Sequence, residues 1–112
     1  MRRVENLCCN GALLSLVLMV CTDAVAQSVV AGLIEQQHCM FCHTTDGADL
    51  APSFPKIAQR YRTSPGASVM LEKKLLAGGK PHWGDITMPE ADPVPPLSGD
   101  DAHMLIQWVL RQ

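Results

Sequence analysis

The chain reads as an all-α domain of three to five helices wrapped around a group that is not protein. Three observations lead there. Apolar residues recur at helical spacing in several segments, no segment carries a convincing two-residue alternation, and the aromatic side chains beyond residue 26 (Phe41, Phe54, Tyr61, Trp83 and Trp108) are few for the core of a small domain. With 112 residues and a formal charge of -2, the chain fits one domain at most and is too weakly charged for a nucleic-acid surface.

Residues 1–26 read as a secretory signal peptide. Arg2 and Arg3 precede the apolar run "GALLSLVLMVC", and Ala24 to Ala26 offer small residues for cleavage. The run is short of the roughly 20 residues a bilayer span needs, so the mature protein is expected not to span a membrane. Cleavage after Ala26 leaves a domain of residues 27–112 and discards Cys8, Cys9 and Cys21. A domain of this size buries only about 60 to 65 per cent of its unfolded surface, and a core that small usually needs a staple such as a disulfide, a metal or a bound group.

The first mature helix opens at "SVVAGLIEQQ", with Ser28 as N-cap and Val29, Val30, Leu33, Ile34 and Gln37 at helical spacing. It runs into the "CMFCH" pentapeptide. "TTDGADLAPSFP" comes next as a loop, interrupted by Pro52 and Pro55. "KIAQRY" is a short helix. "SPGASVMLEKKLLAGG" is a longer one, with Ser64 and Pro65 in its first turn, Gly78-Gly79 at its stop, and Val69, Leu71, Leu75 and Leu76 facing inward. Five prolines within "KPHWGDITMPEADPVPPL" exclude regular structure, and Trp83 and Met88 argue that this stretch is an ordered, wrapped loop. The last helix opens on Ser98 with Asp101 three residues on, a capping box, and buries Ala102, Leu105, Ile106 and Val109 with Trp108 beside them. Gly32 and Trp108 suggest a close crossing of the first and last helices.

"CMFCH" has three chemical readings. A dithiol redox pair would follow a strand and open a helix, whereas this motif closes a helix. Half of a zinc site would need a second ligand pair, and no two of His38, His82 and His103 share a ligand-pair spacing. Covalent haem attachment fits: two intervening residues let Cys39 and Cys42 reach vinyl groups on neighbouring pyrroles from one turn of chain, and His43 then lies under the iron. The export signal and the under-filled core agree with it.

For the sixth iron position, Met40 sits inside the pentapeptide, while Met70 and Met104 occupy helical positions; all three read as packing. Met88 alone lies in a proline-braced loop long enough to wrap the far face, and a thioether is a soft ligand for haem iron. His82 is the better of the histidine alternatives, ahead of His103; His38 reads as exposed.

With these motifs the sequence resembles the small bacterial monohaem class I cytochromes c, the short-chain soluble electron carriers. The likeness covers nearly all of residues 27–112 and rests on "CMFCH", on Pro52 in "APSF", on "HWGDITMP" and on "DDAHMLIQWVL". It implies a cytochrome c fold around one haem c, with thioethers at Cys39 and Cys42, His43 as proximal ligand and Met88 as distal ligand. It further implies that Pro52 supplies a backbone carbonyl to the far nitrogen of His43, that Trp83 donates its indole proton to a haem propionate, and that Lys74 reaches another. The stretch after Met88 is longer than the family pattern, and Ala91 stands where relatives often carry an asparagine near the methionine sulfur.

The expected function is single-electron shuttling in the periplasm, without enzymatic activity. The partners expected are a periplasmic or membrane donor and a terminal reductase, oxidase or dehydrogenase. A haem subunit of a larger periplasmic dehydrogenase and a ligand-binding haem sensor or enzyme are the alternatives. Residues 27–112 hold seven basic and nine acidic side chains, so docking is expected to rest on an apolar rim near Phe41 and Met88.

Overall fold

A computed structural model describes residues 24–46, 50–83, 86–93 and 95–112. Helix α1 runs over residues 24–36 and ends in a 3-10 turn at Cys39–Phe41. Three more helices complete the chain: α2 (Phe54–Tyr61), α3 (Ala67–Ala77) and α4 (Gly99–Leu110). Among the described residues there is no strand, only isolated bridges between Gly79 and Met88 and between Pro93 and Pro96.

Helix α4 is the centrepiece, packed against both α2 and α3. Its buried stripe of Ala102, Leu105, Ile106 and Val109 follows the i, i+3, i+4, i+7 pattern of one helix face. Val30 and Leu33 of α1, Leu71 and Leu75 of α3, and Leu97 close the same core. Each large aliphatic side chain among them stabilises the fold by about 1.5–3 kcal/mol through burial. On the α2 side, Phe54 meets Trp108 edge-on with ring centroids 5.1 Å apart.

The capping box at α4 is complete. Ser98 Oγ accepts from the Asp101 amide at 3.0 Å, and Asp101 Oδ2 accepts from the Ser98 amide at 3.3 Å. Helix α3 stops at Gly78, whose φ of 61° and ψ of -142° suit a residue without Cβ. A Cβ there would lie 2.5 Å from the Pro89 carbonyl carbon and 2.6 Å from the Met88 oxygen. The end of α3 and the Met88 segment therefore meet backbone to backbone.

Several expectations are corrected. Ser28 does not cap α1: the helix already runs from residue 24 and Ser28 Oγ donates to the Val25 carbonyl at 2.8 Å, because "AVA" forms helix as readily as the residues after it. Ser64 and Pro65 precede α3 instead of opening it, since Gly66 takes a left-handed φ of 72° and the Ala67 amide bonds back to the Ser64 carbonyl. Val69 points outward, 56% exposed, and so does Val29. Met40 is 47% exposed instead of packed. Gly32 is exposed with nothing near its missing Cβ, so α1 joins the core through Val30 and Leu33, not through a crossing at Gly32. Most of the expected signal peptide, residues 1–23, lies outside the described residues.

Candidate cofactor site

The pentapeptide is shaped by one left-handed residue. His38 has φ 53° and ψ 30°, a region open at modest cost to a few polar side chains, and it turns the chain out of α1. Its ring stacks on Phe41 at 5.1 Å. The Cys42 and His43 amides then bond back to the Cys39 carbonyl at 3.3 and 2.9 Å, which winds both thiols and the imidazole into one turn. Both cysteines are half-buried free thiols.

The next loop folds back on that turn. The Ala51 amide donates to the Cys42 carbonyl at 3.1 Å and the Phe54 amide to the Thr44 carbonyl at 2.9 Å. Pro52 is thereby delivered to His43, whose Nδ1 lies 2.7 Å from the Pro52 carbonyl oxygen. A carbonyl can only accept, so Nδ1 carries the proton and the Nε2 lone pair is left for a metal. Phe54, the first residue of α2, stacks against the His43 ring at 5.5 Å and fixes its plane.

Two adjoining cavities, of about 80 and 170 Å³, share Cys39, His43, Ile57, Leu71, Lys74, Leu75 and Met88 as walls. The inner one is lined mainly by apolar side chains of α2, α3 and α4. The outer one brings together Cys39, Cys42, His43, Pro52, Lys74, Trp83 and Met88. Met88 is held there by a reciprocal pair with Gly79: the Gly79 amide donates to the Met88 carbonyl at 2.8 Å and the Met88 amide to the Gly79 carbonyl at 3.2 Å.

Trp83 lies under the Arg60 guanidinium, 4.8 Å from its ring centroid, and tilts against Tyr61 at 6.1 Å. Lys74 Nζ donates to the Lys80 carbonyl at the cavity wall. His82 is exposed at the outer cavity with Nδ1 3.5 Å from the Tyr61 hydroxyl. His103 lies outside both cavities, on the outer face of α4, where it pairs with Glu72 at 2.8 Å. Ala91 lines the outer cavity and its amide reaches the Leu76 carbonyl.

Sequence reading missed Ile57, Arg60, Tyr61 and Gln37 as site residues. Ile57 had a signal, since it follows the helical period of α2 onto the face shared with Phe54. Tyr61 continues that same face one turn on and Gln37 stands two residues before Cys39, whereas Arg60 meets the site only by stacking over Trp83.

The donor set discriminates among the three readings of the motif. Burial pushes the Cys39 thiol up, opposed by a backbone hydrogen bond, whereas a redox dithiol needs a lowered pKa. No group of three or more His, Cys, Asp or Glu among the described residues could hold a metal ion by itself. Two thiols on one turn, an imidazole of fixed tautomer, a thioether and apolar walls suit haem c.

Comparison with known proteins agrees. The cytochrome c family pattern matches residues 30–112. Cytochrome c-551 of Allochromatium vinosum is 33% identical over 88 residues, 77% of this chain and 90% of the relative. Cytochrome c-551 of Azotobacter vinelandii is 35% identical over 78 residues, covering 70% and 90%. Among solved structures, wild-type cytochrome c552 of Nitrosomonas europaea superposes with a TM-score of 0.64 at 30% identity, covering 72% of this chain and 96% of that one. The class 1 cytochrome MtoD of Sideroxydans lithotrophicus, at 22% identity and TM-score 0.61, shares the fold. The chain belongs to the cytochrome c family, and its cofactor is haem c.

Proposed function

We propose that the protein is a periplasmic carrier of single electrons with His43 and Met88 as the two axial ligands of its haem iron. Haem c supplies the one-electron chemistry, with iron cycling between ferrous and ferric states. Cys39 and Cys42 hold the group by thioethers. His43 offers Nε2 because Nδ1 is committed to the Pro52 carbonyl, and that hydrogen bond, 2.7 Å long, is the observation that carries the reading. Met88, fixed to Gly79 by paired backbone bonds, offers a soft thioether that favours the ferrous state. Buried apolar side chains around both ligands raise the potential further by disfavouring the extra ferric charge.

Trp83 and Lys74 stand at the outer cavity as donors for carboxylates, the roles proposed for them toward the propionates. Arg60, stacked over Trp83, adds a positive charge beside them. If His43 and Met88 both held the iron, the chain would leave no position for oxygen or peroxide, the condition of a carrier and not of an enzyme or sensor.

Export is proposed from the signal-like residues 1–26, and no helix among the described residues is long and apolar enough to cross a membrane. Phe41, Met40 and Ile86 are exposed, at 74%, 47% and 46%, and suit brief, weakly charged docking with donor and acceptor proteins.

An equilibrium redox titration of the haem-loaded protein, with the far-red methionine-to-iron band followed in the ferric state, tests the reading. The expected result is a single one-electron transition with the band present in wild type and in His82→Asn but absent in Met88→Ala. A wild-type ferric protein without the band, or a band kept in Met88→Ala, would overturn it.

A further inference from the structure

The segment that carries Met88 has no regular structure, so single bonds set its position. Beyond the pair with Gly79, the Asp92 amide donates to Gln37 Oε1 at 2.7 Å, and Gln36 Nε2 donates to the Pro95 carbonyl at 3.3 Å. Gln37 lies two residues before Cys39, between α1 and the attachment turn. One side chain thus ties the turn bearing Cys39 and His43 directly to the segment bearing Met88, across 55 positions of sequence. Gln37 also lines the outer cavity beside Met88 and Ala91.

The other half of the same amide is unmet: Gln37 Nε2 is buried without a hydrogen-bond partner. A buried donor left unpaired costs free energy that an apolar side chain of similar shape at the same place would avoid. What the residue gains there is the bond to Asp92. The geometry points to Gln37 as a positioning residue: its carbonyl oxygen latches the Met88 segment to the attachment turn, so that the thioether is kept on the iron against competing ligands. This rests on Met88 being the sixth ligand.

Two variants separate the two halves of the amide. Gln37→Leu removes the acceptor and the donor, while Gln37→Glu keeps an acceptor for the Asp92 amide and removes the donor. The measurements are the affinity of the ferric, haem-loaded full chain for free imidazole, by optical titration, and the hydrogen-exchange rate of the Asp92 amide. Exchanging a neutral thioether for a neutral imidazole leaves the charge at iron unchanged, so the carboxylate of Gln37→Glu has little direct effect on this equilibrium.

Gln37→Leu is expected to raise imidazole affinity about tenfold or more and to speed exchange at Asp92, with Gln37→Glu near wild type in both. If Gln37→Leu fails to mature, Gln37→Met, of similar length without an amide, takes its place. Unchanged imidazole affinity in the variant lacking the acceptor, or Gln37→Glu behaving like Gln37→Leu, overturns the inference alone. A wild-type ferric protein with no far-red methionine band overturns the ligand reading and the inference with it.

Discussion

Gly78 is where a single methyl group would do most damage. Its φ of 61° and ψ of -142° strain any residue with a Cβ, and that Cβ would strike the backbone of Met88, Pro89 and Glu90 at 2.5–2.6 Å. Backbone cannot swing aside as a side chain can. Gly78→Ala is expected to destabilise the haem-loaded protein by about 1–3 kcal/mol in denaturant unfolding and to weaken the far-red band, since the Met88 segment must lift away from the end of α3. A variant with wild-type stability and spectrum would show that the two segments do not need their close contact. At the same scale, the parts of the site that were legible in sequence are the local ones. Cys39, Cys42 and His43 sit within five residues, and Pro52, nine positions further on, folds back to His43. Gln37 with Asp92, and Arg60 with Trp83, are side-chain meetings between distant segments and leave no periodic trace.

At the level of elements, α4 depends on its cap and on its clasp to α3. Ser98→Ala removes the acceptor for the Asp101 amide and is expected to cost about 1 kcal/mol in chemical unfolding. Leu105→Ala, at a residue 3% exposed in the middle of the core, is expected to cost about 2–5 kcal/mol. The clasp is a chain of hydrogen bonds: Gln107 Nε2 to Ser68 Oγ at 2.9 Å, Ser68 Oγ to Glu72 Oε1 at 2.8 Å, and His103 Nδ1 to the same oxygen at 2.8 Å. The Ser68 hydroxyl first, then His103, hold the Glu72 carboxyl below its ordinary value of 4.5. A group depressed on folding lends stability above its unfolded pKa and loses it as pH falls through its folded pKa. The wild type is therefore expected to exceed Glu72→Gln in stability at pH 7, with the difference shrinking below about pH 4.5 and gone at strongly acid pH, as read by urea unfolding at each pH. An unchanging difference across that range would contradict the clasp. The helices themselves were legible because 3.6-residue periodicity marks their buried faces. Val69 misled because it falls in an apolar run on α3, and such a run does not say which of its members turns outward.

For the molecule as a whole, the fold is organised around its cofactor more than around its own side chains. Its core is a single cluster in which no large side chain among the described residues is fully buried, and the cavities beside it are walled by residues from all four helices and both long loops. The sequence signalled this through the scarcity of aromatics and through the proline-rich stretch after α3, which cannot pack on itself. It did not signal how that stretch is pinned, because the pins are backbone bonds to Gly79 and Leu76 that any residue types could make, together with side-chain bonds from Gln36 and Gln37 across distant sequence. Cys39→Ser combined with Cys42→Ser is expected to leave a product that binds haem only reversibly and unfolds at lower denaturant than the mature protein, a loss that equilibrium unfolding would measure. Ligation, potential and docking all depend on attachment at that one turn. Intact-mass measurement of the protein made with a haem-attachment system tests it most directly: the expected result is the polypeptide plus one haem, retained after acid extraction and absent from the double serine variant. A bare polypeptide mass, under conditions that mature a control cytochrome, would contradict it.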